Sequence, residues 1–142
     1  MRRSIAQMDP ASDSASLPNH ELALSPDGCF IHYRSRVSAR NGQEMATRLA
    51  AAIALGRAHQ VSQILFDCRG TVFTAGLGAQ YEYAYNLARR QGLDRHWRLC
   101  LLVSPGDRSY DFQETALLNA GYNVRLLTDF AAASAWLATG PG

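Results

Sequence analysis

The sequence predicts an α/β domain: a mixed, mostly parallel sheet of four to five strands, opened by an N-terminal β-hairpin and accompanied by four helices. Three observations predict it. The apolar runs Gln63–Asp67 and Arg98–Val103 do not alternate, the pattern of strands covered on both faces of a parallel sheet. Segments with helical apolar spacing separate those runs. The resulting order, β-β-α-β-α-β-α-β-α, alternates strand and helix after a single hairpin.

The hairpin spans Glu21 to Val37. Its turn signal is Ser25-Pro26-Asp27-Gly28, where proline presets φ at the second turn position and glycine suits the fourth. The first helix is expected over Gly42 to His59, with Met45, Leu49, Ala52, Ile53 and Leu55 on its inner stripe. Arg57 and His59 fall near its end, where positive charge suits the helix dipole. After the strand Gln63–Asp67 comes the loop from Cys68 to Gly76. A second helix is expected from Leu77 to Gln91, with Leu77, Tyr81, Ala84 and Ala88 turned inward and Gly92 just past its end. Tyr83 and Tyr85 then fall at its rim or exposed side. Ser104-Pro105-Gly106-Asp107 breaks the next strand. The third helix covers Tyr110 to Ala120, and Asp111 with Glu114 offers a capping box. Asn123–Leu127 alternates in part, as an edge strand does. Asp129 or Thr128 caps a last helix, Phe130 to Ala138, whose Ala133, Trp136 and Leu137 face inward.

Composition bounds the function. The chain has 142 residues, 47% of them apolar, enough for one domain with its own core. Residues 1–19, rich in Ser, Ala, Asp and Pro, read as a disordered tail, and residues 20–139 as the domain. Met1-Arg2-Arg3 is followed by no apolar signal core. No stretch approaches the roughly 18–20 apolar residues of a membrane span, so integral membrane association is not expected. A formal charge of +2 argues against a nucleic-acid partner. All 14 basic residues are Arg, which excludes Schiff-base chemistry on Lys, a P-loop Lys, and a phospho-receiver site that needs Lys beside its Asp. Cys29, Cys68 and Cys100 form no CxxC pair; they read as small buried hydrophobes of a reducing cytoplasm, without disulfide or zinc. His20, His32, His59 and His96 form no metal-ligand spacing, and no cofactor fingerprint is present.

Ligands of open α/β sheets favour the carboxyl ends of the strands. Those ends present Asp67, Arg69 and Thr71 after one strand and Ser104, Asp107 and Arg108 after the next. Asp67 and Arg69 can equally pair with each other. Cys68-Arg69-Gly70-Thr71 invites comparison with a rhodanese loop but lacks its CRxGxR pattern, and a nucleophilic Cys68 would need a lowered pKa. Tyr81 and Tyr85, with Phe112, define a possible cleft between the second and third helices.

A family resemblance rests on four segments in order. They are Leu65-Phe66-Asp67-Cys68-Arg69-Gly70, the strand Arg98–Val103, Phe112-Gln113-Glu114 leading to Asn119-Ala120-Gly121-Tyr122-Asn123-Val124-Arg125, and Leu127-Thr128-Asp129-Phe130 through Trp136-Leu137. Over roughly residues 22–138 the chain resembles the SpoIIAA-like group, the STAS-type domains of bacteria and their single-domain relatives. The resemblance implies a mixed sheet with helices packed on one side and a non-enzymatic role, binding protein partners or nucleotides and in some relatives lipids. In anti-sigma-factor antagonists of that group a Ser in a DSSG stretch is phosphorylated. Here the region reads Val72-Phe73-Thr74-Ala75-Gly76-Leu77, so Thr74 is the nearest phosphoacceptor position and the preceding acid is absent.

The expectation is a cytoplasmic, non-catalytic interaction module. It binds a protein partner through the Asp67–Gly78 loop and the helix that follows. The alternative is a small-molecule or lipid carrier using the Tyr81–Tyr85–Phe112 cleft. An enzyme built on Cys68 or Asp67 is the third reading. Dimerisation through the edge strand Asn123–Leu127 is compatible with all three.

Overall fold

The computed structural model describes residues 20–139; the tail assigned to residues 1–19 lies outside them. Five strands form one sheet in the order β1-β2-β3-β4-β5: β1 His20–Leu24, β2 Ile31–Ser35, β3 Gln63–Asp67, β4 Arg98–Leu102 and β5 Asn123–Leu127. β1 pairs antiparallel with β2, and every other neighbouring pair is parallel. The helices are α1 Gly42–Ala58, α3 Asp111–Asn119 and α4 Phe130–Ala138. Between α1 and α3, Leu77–Glu82, a π-helical turn Tyr83–Leu87 and Ala88–Arg90 run on as one helix, α2.

The hairpin turn forms as its residues require. The Gly28 N–H donates to the Ser25 carbonyl at 2.9 Å, and Gly28 adopts φ +76. The buried Ser25 hydroxyl accepts from the Cys29 and Phe30 N–H groups, which locks the return into β2.

Parallel crossovers are right-handed, and here all three step to the next strand in the same direction, which sets their helices on one face. The cores agree. On that face Met45, Leu49 and Ile53 of α1, Tyr83, Ala84 and Ala88 of α2, and Ala116 and Leu117 of α3 pack over Ile31, Tyr33, Ile64, Leu99 and Val124. Each fully buried aliphatic side chain of this set contributes about 1.5–3 kcal/mol. α4 follows the last strand and is free of the crossover rule. It packs on the opposite face, where Ala133 and Leu137 meet Phe30, Leu65, Cys100 and Leu102. The resemblance implied helices on one side; three helices obey that arrangement and the fourth does not. Covering both faces explains why Ile64 and Leu65, adjacent in β3, are both fully buried.

Two local readings are corrected. The inner stripe of α2 is Gln80, Tyr83, Ala84 and Ala88, whereas Leu77 and Tyr81 are 63% and 55% exposed. The buried Gln80 amide donates to the Ala75 carbonyl at 2.8 Å, so a polar residue occupies an inward position and conceals the true stripe. Tyr83, expected at the rim, is buried. The Asp111–Glu114 capping box also does not form. Asp111 pairs with Arg108, and the Glu114 carboxylate accepts the Leu126 N–H at 2.8 Å. The Leu127 carbonyl accepts from the N–H of Val103, the residue after β4, so the Leu126 amide points to the free edge of β5, and Glu114 blunts that edge.

α1 ends in a Schellman motif: the Val61 N–H donates to the Gly56 carbonyl at 2.8 Å and the Gln60 N–H to Arg57 at 3.2 Å. Gln60 takes the left-handed position, φ 58, that glycine usually fills. The return brings the Val61 carbonyl to 2.6 Å and a Trp97 ring carbon to 2.9 Å from where a Cβ on Gly56 would sit. Gly56→Ala is therefore expected to destabilise by about 1–3 kcal/mol through this clash, although helix propensity alone favours Ala by about 1 kcal/mol. Gln60→Gly is expected to stabilise by about 0.5–1 kcal/mol. Urea denaturation of both variants checks the pair of opposite signs.

Candidate functional site at the carboxyl end of β3

Successive residues of a strand point to opposite faces. At the end of β3 this sends Asp67 to the α4 face and Phe66 and Cys68 to the face of the three crossover helices. Two environments result, one polar and closed, the other apolar and hollow.

Asp67 is fully buried. Its partners come from two strands and the following loop. On β2, Arg34 lies opposite Asp67 in the parallel register and His32 lies two residues earlier on the same face. His32 Nε2 donates to one carboxylate oxygen at 2.9 Å and Arg34 Nη1 contacts the other at 3.0 Å. Arg69 grips both, through Nε and Nη2, each at 2.8 Å. Burial alone raises the Asp67 carboxyl, but the hydrogen bonds from His32, Arg69 and Arg34 outweigh it and hold the group well below the usual carboxylate range. Phe130, at the start of α4, covers the cluster: its ring lies 5.9 Å from that of His32 and 5.6 Å from the Arg69 guanidinium carbon.

The loop from Cys68 to Gly76 has no regular secondary structure, yet its backbone is tied from several directions. The Gly70 N–H donates to Ser104 Oγ at 2.8 Å, the Phe73 N–H to Ser109 Oγ at 2.8 Å, and the Thr74 N–H to Ser38 Oγ at 2.9 Å. The Tyr110 hydroxyl donates to the Thr71 carbonyl at 3.0 Å, and the Phe73 ring stacks on that of Tyr110 at 4.7 Å. Asp107 in turn accepts the Ser109 hydroxyl at 2.6 Å.

On the helical face, a cavity of about 70 Å³ lies beneath α1, α2 and α3, lined by Met45, Arg48, Phe66, Cys68, Tyr110 and Gln113 among others. Burial pushes the Cys68 thiol up to about 11, against the opposing influence of the Tyr110 hydroxyl and the Arg48 charge. Burial likewise raises Cys100, to about 12, and Cys29 is raised as well. All three cysteines are free; Cys100 is buried, while Cys29 and Cys68 are only partly so.

The residues singled out from sequence divide into three groups. Asp67, Arg69, Thr71 and Ser104 come together, with Asp107 joined to them through Ser109 and Tyr110. Thr74 is exposed, its hydroxyl donating to Ser38 Oγ at 3.1 Å, and Arg108 is exposed beside Asp111. Tyr81 and Tyr85 stack on each other at 4.4 Å. Neither they nor Phe112 line the cavity, which opens under the helices instead. His32, Arg34, Arg48 and Gln113 were missed. For His32 and Arg34 a signal existed: they alternate with Ile31 and Tyr33, which marks them as one face of a strand. Their partner becomes visible only once β2 is known to pair with β3.

Among the described residues no group of three or more His, Cys, Asp or Glu side chains is placed to hold a metal, and no helix is long and apolar enough to cross a membrane. Comparison of the chain with protein-family models, with curated proteins and with solved structures finds no match.

Two outcomes follow from this chemistry. Asp67→Asn strips the buried charge that Arg34 and Arg69, themselves about a third exposed, converge on, and is expected to cost about 3 kcal/mol at neutral pH. The folded-state value of Asp67 is depressed, so its contribution is complete above the unfolded value of about 3.9 and fades as pH falls below it. The stability gap between wild type and Asp67→Asn, followed by urea denaturation, is therefore expected to narrow below about pH 4. At pH 8, a Cys68 thiol raised to about 11 is ionised in only about one molecule in a thousand. Alkylation by iodoacetamide, followed by peptide mass spectrometry, is expected to modify Cys68 no faster than Cys29; selective modification of Cys68 would reopen the nucleophile reading.

Proposed function

We propose that the chain is a non-catalytic interaction module of SpoIIAA-like type, which binds a protein partner through the Asp67–Gly78 loop and the first turns of α2. The observation that carries this reading is a loop fixed in place yet apolar at its tips. Ser38, Ser104, Ser109 and Tyr110 hold its backbone. Val72 and Leu77 are nonetheless each 63% exposed, with Tyr81 and Phe112 exposed on the adjoining first turns of α2 and α3. A loop ordered before binding loses little conformational entropy when it docks. Exposed aromatic and aliphatic side chains grouped at one end of a fold are the usual content of an interface centre.

Asp67 serves this surface from within, by anchoring Arg69 rather than by touching a partner. Arg69, Thr71, Thr74 and Arg108 form the polar margin. Three unpaired cysteines accord with a reducing compartment, the cytoplasm in this reading. The raised Cys68 thiol favours this reading over one in which Cys68 acts as a nucleophile. The Tyr81–Tyr85 stack supports a recognition face better than a carrier cleft, because Tyr81 stands out in solvent.

Site-specific photo-crosslinking in the native cells tests the surface. A benzophenone side chain in place of Val72 is expected to give a discrete protein adduct that Leu77→Asp abolishes. The same probe in place of Leu118, exposed on α3, is expected to give none. Equal adducts from both positions, or an adduct insensitive to Leu77→Asp, would remove the proposal.

A further inference from the structure

The cavity beneath the three crossover helices is a second feature, and it does not depend on the partner-binding reading. Its walls are mostly apolar, with Met45, Phe66, Leu101 and Leu117 among them. Besides Cys68 and the Tyr110 hydroxyl, which donates to the Thr71 carbonyl, two further polar groups are set into those walls. Gln113, on α3, is 3% exposed, and neither its Nε2 nor its Oε1 has a hydrogen-bond partner among the described residues. Burying both ends of a carboxamide unmatched is costly, and such a group in a folded chain calls for an explanation. Gln80 differs: its amide nitrogen is engaged by the Ala75 carbonyl, and it does not line the cavity.

The second group is Arg48 on α1. It lines the cavity and also a broader surface depression bounded by His20, Val37, Arg40, Glu44 and Thr47, so it stands where the cavity meets the surface. Elsewhere in the fold Arg34, Arg36, Arg40, Arg69 and Arg108 each reach a carboxylate within ion-pair distance. Arg48 makes no hydrogen bond or close ion pair among the described residues, although its charge lowers the Glu44 carboxyl one turn earlier on α1. Its charge is nevertheless felt inside, at Cys68, Tyr110 and Tyr33.

From these features we infer that the cavity is a binding site for a short-chain hydroxycarboxylic acid. The carboxylate meets Arg48 at the mouth, the short carbon body fills the apolar interior, and the hydroxyl reaches Gln113. A hydroxyl is the smallest group that satisfies both ends of a carboxamide, donating to Oε1 and accepting from Nε2. A volume of about 70 Å³ is well below that of an engineered cavity of about 150 Å³ that holds benzene. That excludes an acyl lipid or an aromatic ring system from the interior and suits a body of a few carbon atoms.

The test is an NMR titration of the full ¹⁵N-labelled chain with 3-hydroxybutyrate, compared with butyrate and 3-hydroxybutyramide. Saturable shifts are expected at the Gln113 side-chain amide and at Arg48 Nε. Butyrate, which leaves the carboxamide unmatched, and the uncharged amide, which forgoes Arg48, are each expected to bind about tenfold more weakly or worse. Arg48→Gln is expected to erase the preference for the acid over its amide. Gln113→Met is expected to erase the preference for the hydroxy acid over butyrate while raising the melting temperature of the free protein, since it removes the unmatched amide without changing the volume much. A cavity that takes up water only would give no saturable shift with any of the three probes, and that result overturns the inference. So would preferences that survive in both variants, or a Gln113→Met protein that melts lower, which would mean the amide is already matched within the chain.

Discussion

The end of β3 is organised around the Asp67 carboxylate. A buried carboxylate is tolerated only where cations and hydrogen bonds replace water. Here the replacement is drawn from β2 through His32 and Arg34 and from the following loop through Arg69. One side chain thus ties two strands to the second residue of the connection that leaves β3. Because the Arg69 fork takes both carboxylate oxygens, the direction in which the loop departs is fixed along with the charge. Phe130 then closes the cluster from α4, so the helix on the far face is coupled to the same point.

From that fixed departure the loop crosses the carboxyl ends of the strands without regular structure. Its order comes from side chains on two other connections: Ser38 before α1, and Ser104, Ser109 and Tyr110 between β4 and α3. Serine suits this task because its short hydroxyl can accept from a nearby backbone N–H while donating elsewhere, as Ser109 does to Asp107. Between the anchors Val72 is left to face outward, while Phe73 stacks on Tyr110 and Ala75 is buried.

The strand and helix positions were legible because each rests on local pattern. The non-alternating runs at Gln63–Asp67 and Arg98–Val103 became central strands, and the Asn123–Leu127 run became the edge. Legibility failed where a residue is used across the fold rather than along the chain. Gln80 faces inward to serve Ala75, so the apolar count on α2 pointed to Leu77 and Tyr81 instead. Asp111 and Glu114 have capping spacing, but tertiary partners at Arg108 and Leu126 hold them. The Asp67–Arg69 pairing could be read as a local possibility. His32 and Arg34 could not be joined to it, since that requires the β2–β3 register. Arg48 and Gln113 have no local signature at all: an Arg on a helix reads as solvated, and a Gln as surface.

Strand order accounts for where the hollow lies. A doubly wound sheet reverses its direction of construction, and the reversal opens a crevice at the strand ends. This sheet runs β1 to β5 without reversal, so topology supplies no such crevice. Three helices are laid side by side on one face, and the space left over lies beneath them, where α1 and α3 flank the end of β3. The alternation of a single strand then divides the two sides. Asp67 and Arg69 fill the α4 face with a matched ionic cluster, and Phe66 and Cys68 turn to a face where Gln113 is unmatched. A fold that settles three charged or ionisable groups around Asp67, yet leaves the Gln113 amide unanswered on the opposite face of the sheet, separates a structural polar centre from a receptive one.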